Sequence, residues 1–142
     1  MKNKKKNKKP QVYVAMCGDI IHHGHINILK IAYRYGDVTL GLLSDRAIKS
    51  YKKDPLINFK HRKFVFQSIK YIKKIVKQNQ LDYVPTLKRL KPNYVVHGDD
   101  WKKGVQKKVR EKILVALKKW NGKLIEPRYT KKISSSLIKK KL

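Results

Sequence analysis

The chain has 142 residues, with 37 Lys and Arg against 9 Asp and Glu, a formal net charge of +28. That length suits one domain, and 41% hydrophobic residues supply one core, so disorder throughout is excluded. The single Cys17 excludes an internal disulfide framework and a cysteine-based zinc cluster, and fits a reducing cytoplasm.

Residues 1–10 form a lysine-asparagine tail with nothing apolar to bury after Met1, and no structure is expected there. The apolar stretch after it is too short for a signal peptide, and no run approaches membrane-spanning length. One domain is expected over 11–142. Gln11–Met16 is largely apolar and β-branched, a buried strand. Cys17–Ile21 is a loop, and Gly24–Tyr35 has helical apolar spacing closed by Gly36. Asp37–Leu43 is a second buried strand, Ser44–Ser50 a short helix, and Lys52 to Pro55 a polar loop. Asn58 caps a helix expected to run through Ile72, with Phe59, Val65, Phe66, Ile69 and Ile72 on its apolar side. Lys74–Val76 reads as a weak strand, Pro85–Leu90 as a short helix, and Asn93–His97 as a buried strand. Gly104–Trp120 is amphipathic, with Val105, Val109, Ile113, Ala116 and Leu117 along one side. Lys123–Glu126 is a last strand, and Ser134 opens a terminal helix.

Strands thus alternate with helices from end to end, the order of a Rossmann-like α/β fold with a parallel sheet covered on both faces. Ligands of such sheets bind beyond the carboxyl ends of the strands, so the residues just after strands carry the chemistry. Three segments stand out. Asp19 to His25 (DIIHHGH) follows the first strand. Gly24 allows close backbone approach, and His22 and His25 are placed to donate to phosphate oxygens. A zinc site built on His22, His23 and His25 lacks a clear fourth ligand. Val96 to Trp101 (VHGDDW) puts His97, Gly98, Asp99, Asp100 and Trp101 after a buried strand, although Asp-Asp also makes ordinary turns. Arg128 to Ser136 combines cations with hydroxyls at a helix start, where Ser134 also serves as a plain N-cap.

The charge offers a rival reading as a nucleic-acid-binding module. Only six of the basic residues are arginine, the side chain suited to bidentate base and phosphate contacts, and the lysines spread along nearly the whole chain. Most of them therefore read as a solvated surface, with no specific nucleic-acid partner.

In order, HxGH (His22 to His25), HRK (His61, Arg62, Lys63), GDDW (Gly98 to Trp101) and ISSS (Ile133 to Ser136) resemble the small cytidylyltransferases over about residues 11–140. The family includes the glycerol-3-phosphate, phosphocholine and phosphoethanolamine enzymes. HxGH alone is shared with adenylyltransferases of the same superfamily. DIIHHGHINILK, LDYVPTLKRLKPNYVVHGDDWKKGVQKKVR and YTKKISSSLI are most similar to the domain associated with phosphoenolpyruvate mutase in phosphonate biosynthesis. The resemblance implies transfer of CMP from CTP to a small phosphonate or phosphate-monoester acceptor, with release of pyrophosphate. It implies His22, His25, Lys52 and Arg62 as catalytic residues, with Lys53 as an alternative to Lys52. Met16, Cys17, Gly18, Asp19, Gly24, His97, Gly98, Asp99, Asp100, Trp101, Tyr129, Ile133, Ser134 and Ser135 would bind nucleotide. Mg2+ would accompany CTP, the protein itself would hold no metal, and the chain would pair as a homodimer. Two loops depart from the family pattern. Met16-Cys17-Gly18-Asp19 stands for GTFD, and in the last motif, RTxGIST, Tyr129 replaces Arg and Lys132 replaces Gly, a position that suits φ > 0.

Overall fold

In a computed structural model of the chain, described for residues 8–104, 106–128 and 130–142, five strands form one parallel sheet. The strands are β1 (Gln11–Met16), β2 (Asp37–Leu43), β3 (Lys74–Gln78), β4 (Tyr94–Val96) and β5 (Lys123–Ile125), in the order β3-β2-β1-β4-β5. The helices between and after them are α1 (His23–Tyr35), α2 (Asp45–Lys49), α3 (Phe59–Phe66), α4 (Val84–Leu90), α5 (Lys107–Lys118) and α6 (Ser135–Lys139). A 3-10 turn covers Asp99–Trp101. The α/β expectation is therefore met. The tail lies mostly among residues 1–7, outside the described residues, as does Val105. Pro10, just before β1, is already tied to β2, its carbonyl accepting from Asp37 N–H at 2.9 Å.

Because side chains alternate across a strand, β1 feeds two cores. Val12 and Val14 join Leu29 and Ala32 of α1, Leu40 and Leu42 of β2, and Phe66 of α3 on one face. Tyr13 and Ala15 join Ala47 and Ile48 of α2, Leu87 of α4, and Val109, Ile113 and Leu117 of α5 on the other. Tyr13 crosses β2 to donate to Gln78 Oε1 on β3 at 2.5 Å, and Gly41 makes the room, since a Cβ there would sit 1.7 Å from the phenol oxygen.

Most expected boundaries hold to within one to three residues, and α3 does not. It stops at Phe66 instead of running to Ile72. Successive tight turns (Ser68 N–H to Val65 O, Ile69 N–H to Phe66 O, Ile72 N–H to Ile69 O) fold the chain back until Lys73 N–H reaches Val38 O and β3 begins. Ile69 and Ile72 pack under the sheet edge only because the helix ends early. Phe64 and Val65 are left exposed.

Strand order reverses at β1, which pairs with β2 on one side and β4 on the other. A crevice of about 250 Å³ opens beyond the carboxyl ends of these strands.

Candidate active site

At the end of β1 the chain turns into α1 through a histidine cap. His22 takes the N-cap position with extended backbone, and its Nδ1 accepts from Gly24 N–H at 3.0 Å. His25 reaches back, its Nδ1 accepting from His22 N–H at 3.1 Å. This reproduces the reciprocal capping box with imidazoles. The geometry requires Gly24, because a Cβ there would lie 2.7 Å from the His22 ring. Both Nδ1 atoms are acceptors, so in the neutral rings Nε2 carries the proton. Both residues line the crevice, while His23 is exposed and outside it. Burial lowers the His22 pKa, with His23 adding to the effect. Burial, His22 and then Lys52 push His25 down to about 4. At neutral pH the α1 side of the crevice presents two neutral N–H donors.

Lys52, just beyond α2, lines the crevice and Lys53 does not. Arg62 departs from its expected role. It is 1% exposed and absent from the crevice wall. Its Nε donates to Ile57 O at 2.9 Å, its Nη1 to Cys17 O at 2.6 Å and Leu43 O at 2.8 Å, and its Nη2 to Asp45 Oδ1 at 2.6 Å. The guanidinium therefore ties the ends of β1 and β2 to the start of α2 and the loop after Lys52, rather than reaching toward a substrate.

Asp19 lines the crevice but is likewise committed. Its oxygens accept from Leu56 N–H at 2.9 Å and Ile57 N–H at 2.8 Å, and Lys139 pairs with the carboxylate. Burial opposes its ionised form, yet Lys139 and the two N–H groups win and hold its pKa below the usual value. Met16 and Cys17 lie in the wall, the Cys17 thiol 2.6 Å from the Tyr51 hydroxyl. Gly18 does not line the crevice; its φ is +63°, and a Cβ would fall 2.1 Å from the Phe66 ring.

Across the crevice, His97, Gly98 and Asp100 face the cavity, while Asp99 and Trp101 do not. Asp99 N–H bonds to Pro127 O at 3.1 Å. Trp101 is 2% exposed; its Nε1 donates to Glu126 Oε2 at 2.7 Å, and its ring stacks on His97 at 3.6 Å with a 5° interplanar angle. A tryptophan so covered cannot stack on a base, and it acts on the crevice through His97. Arg110 grips Glu126 with two bonds of 2.8 Å and holds that carboxylate below its usual pKa range.

Ser134 and Ser135 line the crevice, and Ile133 does not. Ser134 Oγ caps α6 by accepting from Leu137 N–H at 3.0 Å, and Ser135 Oγ donates to Ile20 O at 2.8 Å. Tyr129 lies outside the described residues. Lys132 has φ +63°, as expected where the family pattern has Gly. Thr130, Ser136, Lys139, Tyr51 and Gln106 also line the site, and sequence reasoning did not select them. Thr130 and Ser136 lie within YTKKISSSLI and Gln106 within the stretch that carries GDDW, whereas Tyr51 and Lys139 lie outside every motif. These two join the site through tertiary packing. Among the described residues no cluster of His, Cys, Asp or Glu could hold a metal ion, so the three-histidine zinc arrangement does not form.

Paired imidazole donors thus stand at the switch point of a parallel sheet, facing a lysine and a serine-bearing helix. The chain belongs to the cytidylyltransferase-like family, whose model matches residues 17–141. It is 35% identical over 98 residues to the bifunctional protein HldE of Helicobacter acinonychis, covering 67% of this chain and 21% of that protein. It is 30% identical over 104 residues to the ethanolamine-phosphate cytidylyltransferase of Arabidopsis thaliana, covering 68% and 24%. It is 34% identical over 98 residues to the FAD synthase of Pyrococcus horikoshii, covering 66% of each. The chain thus spans a quarter or less of the first two. The lipopolysaccharide core biosynthesis protein from Thermoplasma volcanium shares the fold, with a TM-score of 0.70 and 20% identity over 87% of this chain and 98% of that one. No helix among the described residues is long and apolar enough to cross a membrane.

Proposed function

We propose that the protein transfers CMP from CTP to a small acceptor that already carries a phosphate or phosphonate group, releasing pyrophosphate. The observation that supports this best is the histidine capping box, which aims two neutral N–H donors into a crevice bordered by Lys52. An acceptor oxygen ionised near neutral pH attacks the α-phosphorus in line and needs no general base. The work left to the protein is positioning and charge stabilisation. In this reading His22 and His25 donate to the oxygens that gain charge, and Lys52 steadies the α-phosphate and the incoming acceptor. The crevice edge formed by His97, Gly98 and Asp100 takes the base, and the α6 serines border the phosphates. The ethanolamine-phosphate cytidylyltransferases among the relatives support a phosphate monoester as acceptor. The phosphonate suggested by the sequence resemblance has no support among them.

Mg2+ would arrive on the phosphates of CTP. The residues present do not form a resident cage for it: both Asp19 oxygens are engaged, and Asp100 is the only other carboxylate lining the crevice among the described residues. The deciding experiment is pyrophosphate release from CTP and ATP, each with ethanolamine phosphate, choline phosphate, glycerol 3-phosphate and 2-aminoethylphosphonate. Release from CTP with one acceptor is expected. Release from ATP alone would make the protein an adenylyltransferase and overturn the reading.

A further inference from the structure

Three imidazoles line the crevice, and the backbone has set the polarity of each. His22 and His25 accept at Nδ1 and so offer Nε2–H. His97 is the reverse. Its Nδ1 lies 2.7 Å from Gly98 O, and a carbonyl oxygen only accepts, so Nδ1 holds the proton and Nε2 keeps its lone pair. Among the described residues, no hydrogen bond to Nε2 is formed, while the residue borders the cavity. The ring cannot turn freely: Trp101 stacks parallel on one face, and Glu126, held by Arg110, fixes Trp101. Burial keeps the ring neutral against the pull of the Gly98 carbonyl, Asp100 in the 3-10 turn and Glu126 after β5, so Nε2 remains an acceptor at neutral pH.

We propose that His97 Nε2 accepts a hydrogen bond from the exocyclic amine of the nucleotide base, so that the site selects an amino-bearing base such as cytosine over an oxo-bearing one such as uracil. The inference rests on the nucleotide-transfer reading above and adds to it the residue that chooses the base. With uracil, an oxygen lone pair would face the Nε2 lone pair, leaving two desolvated acceptors without a donor. A site built for a hydrogen bond rejects the analogue lacking the matching donor far more strongly than an apolar pocket rejects a change of size.

Calorimetric binding of CTP and UTP to the full chain tests this, because the two share charge and nearly share shape. Phosphate contacts, lysines and salt then cancel in the ratio. CTP is expected to bind at least about tenfold more tightly. His97→Phe keeps an aromatic ring to stack on Trp101 but removes the acceptor, and His97→Gln offers either polarity; in both, the ratio should fall toward one. Should the variants fail to fold, the unaltered chain still decides with N4,N4-dimethyl-CTP, which lacks the N–H and should bind as poorly as UTP. A CTP preference retained in a folded His97→Phe protein, or dimethyl-CTP binding as well as CTP, overturns the inference. Equal binding of CTP and UTP by the unaltered chain overturns it while leaving nucleotidyl transfer standing. Binding of neither overturns both.

Discussion

His25 works through both of its ring nitrogens, which lets its roles be separated. Nδ1 closes the capping box of α1, and Nε2 is the donor facing the crevice. His25→Ala should therefore cut turnover by roughly 100-fold or more, about 3 kcal/mol of transition-state stabilisation, and also cost about 1 kcal/mol of stability for the lost cap. His25→Asn places an amide oxygen near the Nδ1 position, so stability should return while turnover does not. Urea melts beside initial rates check the pair, and full activity in His25→Ala would remove this mechanism. The depressed histidines also fix a pH dependence. Folded His25 titrates at about 4, against about 6.5 when unfolded, and His22 and His97 shift the same way. Between these values the unfolded chain binds more protons, so the stabilisation is complete above about pH 6.5 and fades as pH falls toward about 4. Melting temperature should stay level from pH 8 to 7 and decline from 6.5 to 4.5. A flat profile across that interval would mean that the three rings titrate normally.

Among the elements, the short pieces around α3 show how a charge can serve architecture. Arg62 is buried with four oxygen partners drawn from the ends of β1 and β2, the start of α2 and the loop before α3. Removing the guanidinium leaves the Leu43, Cys17 and Ile57 carbonyls without their donor, while half-exposed Asp45 can turn to water, so Arg62→Ala should lose about 3 kcal/mol in urea unfolding. A stability loss below about 1 kcal/mol, with a raised KM for the acceptor, would instead return the guanidinium to the substrate. The segment after Phe66 contains neither Gly nor Pro, and its apolar residues continue a plausible helical face. The helix ends there because Lys73 must reach Val38 for β3 to pair with β2, a constraint that no local propensity carries. The α1 cap was legible in part. A glycine between histidines signalled a strand-to-helix turn, but the reciprocal Nδ1 bonds depend on how the two rings are oriented once the turn packs against the sheet.

At the scale of the molecule, the charge of +28 acts on association. We propose a homodimer, following the family resemblance. Two such chains repel one another, and the repulsion is screened beyond about 8 Å at physiological salt. The dimer should therefore weaken at low ionic strength and strengthen with CTP, whose phosphates offset positive charge. Sedimentation across a salt series measures this. A monomer at every salt and protein concentration, with CTP present, would defeat the dimer and leave the chemistry untouched.

The sequence by itself determined the α/β order, the extents of β1 and β2, and the three post-strand segments that meet at the crevice. These follow from local signals: apolar runs of strand length, caps, and glycines at turns. Lys132 at a position suited to glycine was also visible, and its φ of +63° agrees. Tertiary structure alone decided which members of each motif face the cavity. It buried Trp101 behind His97, turned Arg62 into a brace, engaged Asp19 with Leu56, Ile57 and Lys139, and put Lys52 in the crevice wall with Lys53 outside it. Residue type fixes what a side chain can bond to. Which partners satisfy a buried donor or acceptor depends on groups far apart in the chain, brought together only by packing the sheet.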